Sequence, residues 1–176
     1  MKKYILLVLL CIAFVGCKPT KEGKLQNIKA LEAQTMKDAK EISRSRADSL
    51  LTMYDNFIAE FPNDSNAVII LYKASDVCAN IKDCDKAISY LDKLISKYPK
   101  SYMVEIAKFK KGTIYDQVCH NKEKAQKAYG EFVKEYPKSQ YANDAAILFQ
   151  MLDMPDEMQM IRQFEAKNAE TPTTEN

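Results

Sequence analysis

The sequence is poor in the residues on which most enzyme sites and most β-structures depend. It has no tryptophan, one histidine (His120) and only four glycines. It contains no glycine-rich phosphate-binding loop. No alternating apolar stretch bounded by Gly or Asn-Gly turns predicts a strand, and His120 has no evident nucleophile to activate. These absences predict an all-α protein that is not an enzyme and that binds no cofactor.

The sequence also lacks a large excess of basic residues. It has 26 Lys and Arg against 24 Asp and Glu, a formal net charge of +2. Lys2 and Lys3 belong to the export signal inferred below, and without them the two signs balance. A balanced chain has no general electrostatic attraction to nucleic acid. We therefore expect no nucleic-acid partner. Because no enzyme site is evident, we also expect no small-molecule substrate.

Residues 1–16 are predicted to be an export signal that is not part of the fold. A basic start, MKK, precedes an apolar run over residues 4–15, which is shorter than the about 20 residues that a membrane-spanning helix needs. The sequence Val15-Gly16-Cys17 resembles a bacterial lipobox. The resemblance implies cleavage after Gly16, a diacylglycerol lipid on Cys17, and a tether over residues 17–23. The alternatives are an uncleaved signal anchor and an ordinary secreted protein.

Tyr-Pro or Phe-Pro steps recur at a nearly constant spacing. YPKS occurs at 98–101 and 136–139, a looser copy reads FPND at 61–64, and the prolines are 37 and 38 residues apart. The residue before proline disfavours the α region, so each step predicts a helix end. Ahead of each proline, apolar residues recur at i, i+4 and i+7, as on one face of a helix. They are Leu50, Tyr54, Phe57; Ala87, Leu91, Leu94; and Ala125, Tyr129, Phe132.

Polar residues predict where the intervening helices begin. Asp64, Ser101 and Ser139 each lie two residues after a proline and can cap a new helix. Asp83 and Asn121 are the expected caps of the helices that follow the turns within each unit.

Further residues extend this pattern. Ser45 with Asp48 gives a capping box for the helix that ends at Phe61. Ser75 and Gly112 are small, as a close approach of two helices requires. Each unit therefore consists of a helix, a turn, a second helix and a proline.

A less regular apolar stripe from Leu25 to Ile42 predicts a first helix. Residues 141–152 predict the first helix of a last unit, and residues 155–167 predict a more polar closing helix.

This unit resembles the tetratricopeptide repeat, which has a small residue on its first helix, an alanine and an aromatic on its second, and a closing proline. EYPKSQYANDA, at 135–145, is similar to the long-period repeats of bacterial envelope lipoproteins of the BamD and Tol-Pal coordinator type. The resemblance covers residues 46–152. It implies an all-α, right-handed α-α superhelix of about four helix pairs over residues 24–168. The polar residues at 169–176 are expected to be a disordered tail.

In tetratricopeptide folds the first helix of each pair lines a concave groove. The resemblance transfers this role to the residue ten positions after each proline and to its neighbours one helical turn away. These groove residues are Ile69, Tyr72, Asp76, Ile106, Phe109, Thr113, Ile147 and Met151. Such a face suits an amphipathic helix or an extended peptide of a partner. The alternative for Tyr72 and Phe109 is that they pack between neighbouring pairs.

Three cysteines remain after Cys11 and Cys17 are assigned to export. An oxidising compartment permits a disulfide, either Cys78 with Cys84 or Cys84 with Cys119. The other alternative is three unbonded buried side chains. The Cys-x5-Cys spacing does not suit zinc, and acids near helix starts are explained by capping and the helix dipole. We therefore expect no metal site.

Together these observations predict a lipid-anchored adaptor on the periplasmic face of the bacterial outer membrane, which holds a protein or peptide partner of the cell envelope in its groove. By family resemblance, Lys18 is not the aspartate that retains lipoproteins at the inner membrane. The alternative is a structural or peptidoglycan-associated spacer protein without a dedicated groove.

Overall fold

In the computed structural model, residues 19–37, 42–154 and 161–162 are described, and their regular structure is entirely helical. Seven helices have defined bounds: α1 (Lys21–Lys37), α2 (Arg44–Glu60), α3 (Ser65–Asn80), α4 (Cys84–Lys97), α5 (Met103–Gln117), α6 (Lys122–Glu135) and α7 (Ala142–Asp153). The chain divides into two compact units, residues 1–40 and 41–176. No helix of the described residues is both long and apolar enough to cross a membrane.

The first unit contains α1, which begins earlier than the sequence predicted. Thr20 Oγ1 accepts a hydrogen bond from the N–H of Gly23 at 3.2 Å, and the helix begins at Lys21. The predicted tether over residues 17–23 is therefore wrong for its last three residues, because this local cap allows the helix to form there. The described part of the helix reaches Lys37. The apolar stripe predicted continuation towards Ile42, and residues 38–41 lie outside the described chain.

In the second unit, α2, α4 and α6 end with the same backbone geometry. Their C-caps are Phe61, Tyr98 and Tyr136, with φ of −126°, −126° and −125° and ψ of 58°, 53° and 57°. The N–H of each cap still donates to the carbonyl four residues earlier, but the following proline excludes the helical ψ. The predicted helix ends at Phe-Pro and Tyr-Pro are confirmed.

Three of the predicted helix caps are confirmed. Asp64 accepts from the N–H of Asn66 at 2.8 Å, Asp83 from Lys86 at 3.3 Å and Asn121 from Lys124 at 2.9 Å. Each bond satisfies one of the free N–H groups of a helix start.

The serines behave differently from the prediction. Ser101 and Ser139 accept from the N–H groups of Met103 and Tyr141 at 3.2 and 3.1 Å, but the residue directly before each helix is a tyrosine without a side-chain cap bond. The longer connection after the proline makes an extra turn, and the serine closes that turn.

The predicted capping box at Ser45 and Asp48 is wrong. The helix α2 begins at Arg44, and Ser43 accepts from the N–H of Arg46 at 3.4 Å. The Ser45 carbonyl is already inside the helix and accepts from the hydroxyl of Ser49 at 3.0 Å.

In the second unit, helices that are consecutive in the chain pack against each other. Helix α3 packs on α4 and α5 on α6, which gives two complete helix pairs; α2 packs on α3, α4 on α5 and α6 on α7, and the first helices α3 and α5 also touch. The predicted apolar stripes form the core: Leu50, Tyr54, Phe57, Ala87, Leu91, Leu94, Ala125, Tyr129 and Phe132 are all buried. This is the tetratricopeptide-like α-α superhelix that the sequence predicted.

A close approach of two helices lies within the pair α5–α6. A Cβ atom added to Gly112 would lie 2.5 Å from Cε1 of Tyr129, whose side chain is completely buried. In the preceding pair the equivalent positions hold Ser75 and Leu91, also completely buried. The second pair thus combines a larger side chain on α6 with a smaller residue on α5, and the helices remain close.

A disulfide links the two pairs. Cys84, the first residue of α4, is bonded to Cys119 in the α5–α6 turn, with the Cα atoms 5.3 Å apart. This is the second of the two pairings that the sequence left open. Cys78 is a buried free thiol, and burial raises its pKa to about 12, so it is a poor nucleophile.

We expect Gly112→Ala to lower the free energy of unfolding by about 2 kcal/mol, because overpacking against Tyr129 outweighs the gain in helix propensity. The measurement is urea denaturation followed by circular dichroism. Gly130→Ala is the matched control on α6, since its added Cβ would meet only the exposed ring of Phe149, at 3.1 Å. Combining Gly112→Ser with Tyr129→Leu reproduces the preceding pair and should cost less than the sum of the two single changes. Strict additivity would contradict this account.

We also expect removal of the disulfide, by a reductant or by Cys84→Ser with Cys119→Ser, to lower the free energy of unfolding by roughly 3 kcal/mol. The bond closes a loop between residues separated by 35 positions and so restricts the unfolded chain. The double variant is its own control, because a reductant should not destabilise it further. Equal denaturation midpoints for the oxidised and reduced wild-type protein would contradict the prediction.

Candidate protein-binding face

The eight predicted groove residues lie on the first helices α3, α5 and α7, and they differ in exposure. Ile69, Ile147 and Met151 are exposed, at 39%, 48% and 61% of their full accessibility. The other five are half-buried: Tyr72, Asp76, Ile106, Phe109 and Thr113. The two ends of the predicted ladder are therefore open, and its middle is largely covered by neighbouring side chains.

On the α3–α5 side, Tyr72 and Asp76 form a cluster with a lysine that the sequence did not single out. The ammonium of Lys110 forms an ion pair with Asp76 and lies 5.3 Å from the centroid of the Tyr72 ring. Burial by itself would lower the pKa of Lys110, but the hydrogen bond to Asp76 and the nearby negative charge raise it above its usual value. Burial raises the pKa of the Tyr72 hydroxyl. This seam is therefore polar and charge-paired.

Lys110 belongs to a four-residue stretch of α5, Lys108 to Lys111, that contacts every neighbouring helix. Lys108 donates to both carboxylate oxygens of Glu135 on α6, at 2.5 and 2.6 Å, and this lowers the pKa of Glu135. Lys111 donates to Asp92 on α4 at 2.6 Å. The run KFKK was the only sequence signal for these pairs. Exposed ion pairs are each worth no more than about 1 kcal/mol, but together these three pairs join α5 to α3, α4 and α6.

The remaining residue of that stretch, Phe109, packs at the junction of α5, α6 and α7. Its ring stacks on Tyr141 with centroids 5.1 Å apart and an angle of 15°, and it lies 5.5 Å from Phe132 and 6.0 Å from Tyr129. This contact corresponds to the alternative of packing between neighbouring pairs. Tyr72 at the equivalent position of α3 likewise meets the next first helix, through Lys110.

Helix α7 presents an apolar stripe that the described residues leave exposed. Ile147 and Met151 lie one helical turn apart on α7, and Met154, directly after the helix, is also exposed. Ile147 is the equivalent of Tyr72 and Phe109. The end of α7 is fixed by Lys122, which donates to the Met154 carbonyl at 3.1 Å, and by Gln126, which donates to Asp153 at 2.9 Å. The closing helix predicted at 155–167 lies outside the described residues, except for positions 161 and 162, which are helical.

A cleft of about 420 Å³ lies between α4, α5 and α6. Its floor includes Ile95, Ala128 and Phe132, and its walls carry charges of both signs. The sequence did not predict it. Because Lys108 and Lys111 in its wall are already paired with Glu135 and Asp92, the cleft offers few uncommitted polar groups for chemistry.

In the described ranges no three His, Cys, Asp or Glu side chains are grouped closely enough to hold a metal ion. Asp83 acts as a helix cap. Cys17, the predicted lipid site, lies outside the described residues, as do the export signal and residues 169–176.

Comparison with protein families identifies the two complete pairs. The tetratricopeptide-repeat family model matches residues 70–101 and 107–139; the first match runs from α3 to the turn after α4, and the second from α5 to the turn after α6. No curated protein matches the chain. Proteins with such repeats are in general non-catalytic scaffolds. The chain therefore carries tetratricopeptide repeats in the pairs α3–α4 and α5–α6, the architecture of adaptors that bind other proteins.

Proposed function

We propose that this protein is a lipid-anchored adaptor on the periplasmic face of the bacterial outer membrane, of the type found among long-period envelope lipoproteins. Its first helices would bind a protein or peptide partner of the cell envelope. The observation that carries the proposal is the pair of tetratricopeptide repeats, together with the exposed apolar side chains of Ile69 on α3 and of Ile147 and Met151 on α7.

The binding face that we propose is narrower than the eight-residue ladder. Ile69 offers an exposed apolar contact on α3, one turn before Tyr72. The Asp76–Lys110 pair lies one turn further along, where it can exchange hydrogen bonds with polar groups of a partner. An amphipathic segment could thus place apolar side chains near Ile69 and polar ones near the ion pair. Phe109 would support this face from beneath.

The envelope location is supported by the sequence and by the cysteines. The Val15-Gly16-Cys17 lipobox resemblance and the apolar run before it favour export with a lipid anchor. The Cys84–Cys119 disulfide favours an oxidising compartment.

A second candidate function is the spacer protein, whose repeats only maintain a shape. The packing of Phe109 against Tyr141, Phe132 and Tyr129 favours it, because a residue committed to the junction between pairs is not available to a partner.

The anchor is tested by Cys17→Ser. We expect the wild-type protein to fractionate with membranes and to begin at an acylated Cys17, since several acyl chains give stable attachment. The variant should lose the acyl mass and, once residues 1–16 are removed on export, appear in the soluble envelope fraction. Cys11→Ser is the control and should remain acylated. An intact Met1 in the mass spectrum of the wild-type protein would refute the anchor.

The adaptor and the spacer are separated by photo-crosslinking in living cells. A photoreactive residue placed at Ile69 or Asp76 should give one discrete protein adduct, and the adduct from position 76 should weaken at least fivefold with Ile69→Asp, because a charge at an apolar contact is strongly unfavourable. Matched control positions are Ser89 and Lys127, both exposed on second helices. A spacer should give no discrete adduct at any of the four positions. An adduct only at the control positions would place the partner on the second helices and would contradict the proposed binding face.

A further inference from the structure

The connections between successive units lie on one edge of the second unit. The hydroxyl of Tyr98, in the second connection, donates to the carbonyl of Pro62 in the first. Ser139, in the third connection, donates to Glu105 in the first turn of α5, directly after the second connection. These contacts join the connections 61–64, 98–102 and 136–141 into a continuous surface.

Four lysines are concentrated on this edge, and we refer to them as the basic edge: Lys97, Lys100, Lys134 and Lys138. Each lies within three residues of Pro99 or Pro137, and each is exposed. None of the four forms an ion pair with a described residue. By contrast, the three lysines of α5 at 108, 110 and 111 are all paired.

The acidic residues near the basic edge are already engaged. Glu135 accepts two hydrogen bonds from Lys108, and Glu105 accepts one from Ser139. The first connection has no lysine, since its sequence from Glu60 to Asp64 is EFPND. The positive charge is therefore local to the second and third connections, although the whole chain carries only +2.

Favourable interaction with a helix dipole explains only two of the four lysines of the basic edge. Lys97 and Lys134 lie in the last turns of α4 and α6, where a cation interacts favourably with the helix dipole. Lys100 and Lys138 lie beyond the helices, in the turns themselves, and gain nothing from a dipole.

A large aromatic residue is exposed among these lysines. Tyr102 follows Lys100 by two positions and is 74% exposed, the most exposed large apolar side chain of the described residues. Tyrosine combines an apolar ring with a polar hydroxyl and is enriched where one end of a side chain meets lipid and the other meets water.

We propose that the basic edge, together with Tyr102, binds the anionic surface of a lipid bilayer. Lysines near an anionic bilayer are attracted to its surface, and Tyr102 would enter the headgroup region. The contact goes beyond the proposed adaptor function and does not need the lipid on Cys17. It would hold the connections towards the membrane while the first helices bind a partner.

The test measures how the full chain carrying Cys17→Ser partitions onto two kinds of vesicle. One kind contains phosphatidylcholine alone, and the other contains phosphatidylcholine with about one third of the anionic phosphatidylglycerol. The readout is the ratio of the two partition coefficients, so that apolar binding by residues 4–15 cancels. The edge variant replaces the four lysines of the basic edge with glutamine. The control variant replaces Lys82, Lys122, Lys124 and Lys127, all exposed, and has the same net charge.

We expect the ratio to fall at least about tenfold in the edge variant and by less than about threefold in the control. Tyr102→Ala should lower partitioning onto both kinds of vesicle, and added salt should remove the anionic preference. Equal losses in the two lysine variants, or no anionic preference in the Cys17→Ser chain that keeps all its lysines, would overturn the proposal. Binding of soluble polyglutamate without any response to vesicle charge would assign the edge to an acidic protein and would also overturn it. Because this readout involves neither the acyl chain nor a partner, the proposed adaptor function can fail independently.

Discussion

The residue before a proline cannot readily take the helical ψ, and the repeat depends on this one steric restriction. Phe61, Tyr98 and Tyr136 adopt almost the same φ and ψ, so three helices end at equivalent positions. The apolar stripes that precede the prolines are consequently in register and bury the same faces. Without these fixed ends, a lysine- and alanine-rich helix would have little reason to end where its stripe does.

Equivalent positions of the two complete pairs achieve close packing by different means. The first pair has Ser75 and Leu91 at these positions, and the second has Gly112 and Tyr129. In the second pair the smaller Gly112 leaves room for the larger Tyr129. Likewise, Tyr72 meets Lys110 of the next first helix, whereas Phe109 stacks on Tyr141. The backbone repeat is regular, but the contacts between units are individually adjusted. For that reason, the position of a residue within the repeat predicts where its side chain lies better than it predicts which residues that side chain contacts.

The three surfaces of the second unit differ in character. The first helices combine exposed apolar residues with a charge-paired seam, the second helices carry charges of both signs, and the connecting edge is basic with one exposed tyrosine. In the function proposed here, the anchor provides attachment, the edge provides orientation towards the membrane, and the first helices provide the partner contact. Each role rests on a separate set of residues.

The sequence by itself determined the helical class, the helix ends at the Phe-Pro and Tyr-Pro steps, the buried stripes, and the caps at Asp64, Asp83 and Asn121. These depend on backbone dihedral restrictions and on partners within four residues, which a sequence displays directly. It misplaced the start of α2 by two residues because several serines there could serve as the cap. Only the tertiary structure decided that Cys84 bonds Cys119, that Phe109 packs against Tyr141, and that Lys110 pairs with Asp76. Those partners are more than 30 positions apart, and only the packing of one helix pair on the next determines which of many candidates they meet.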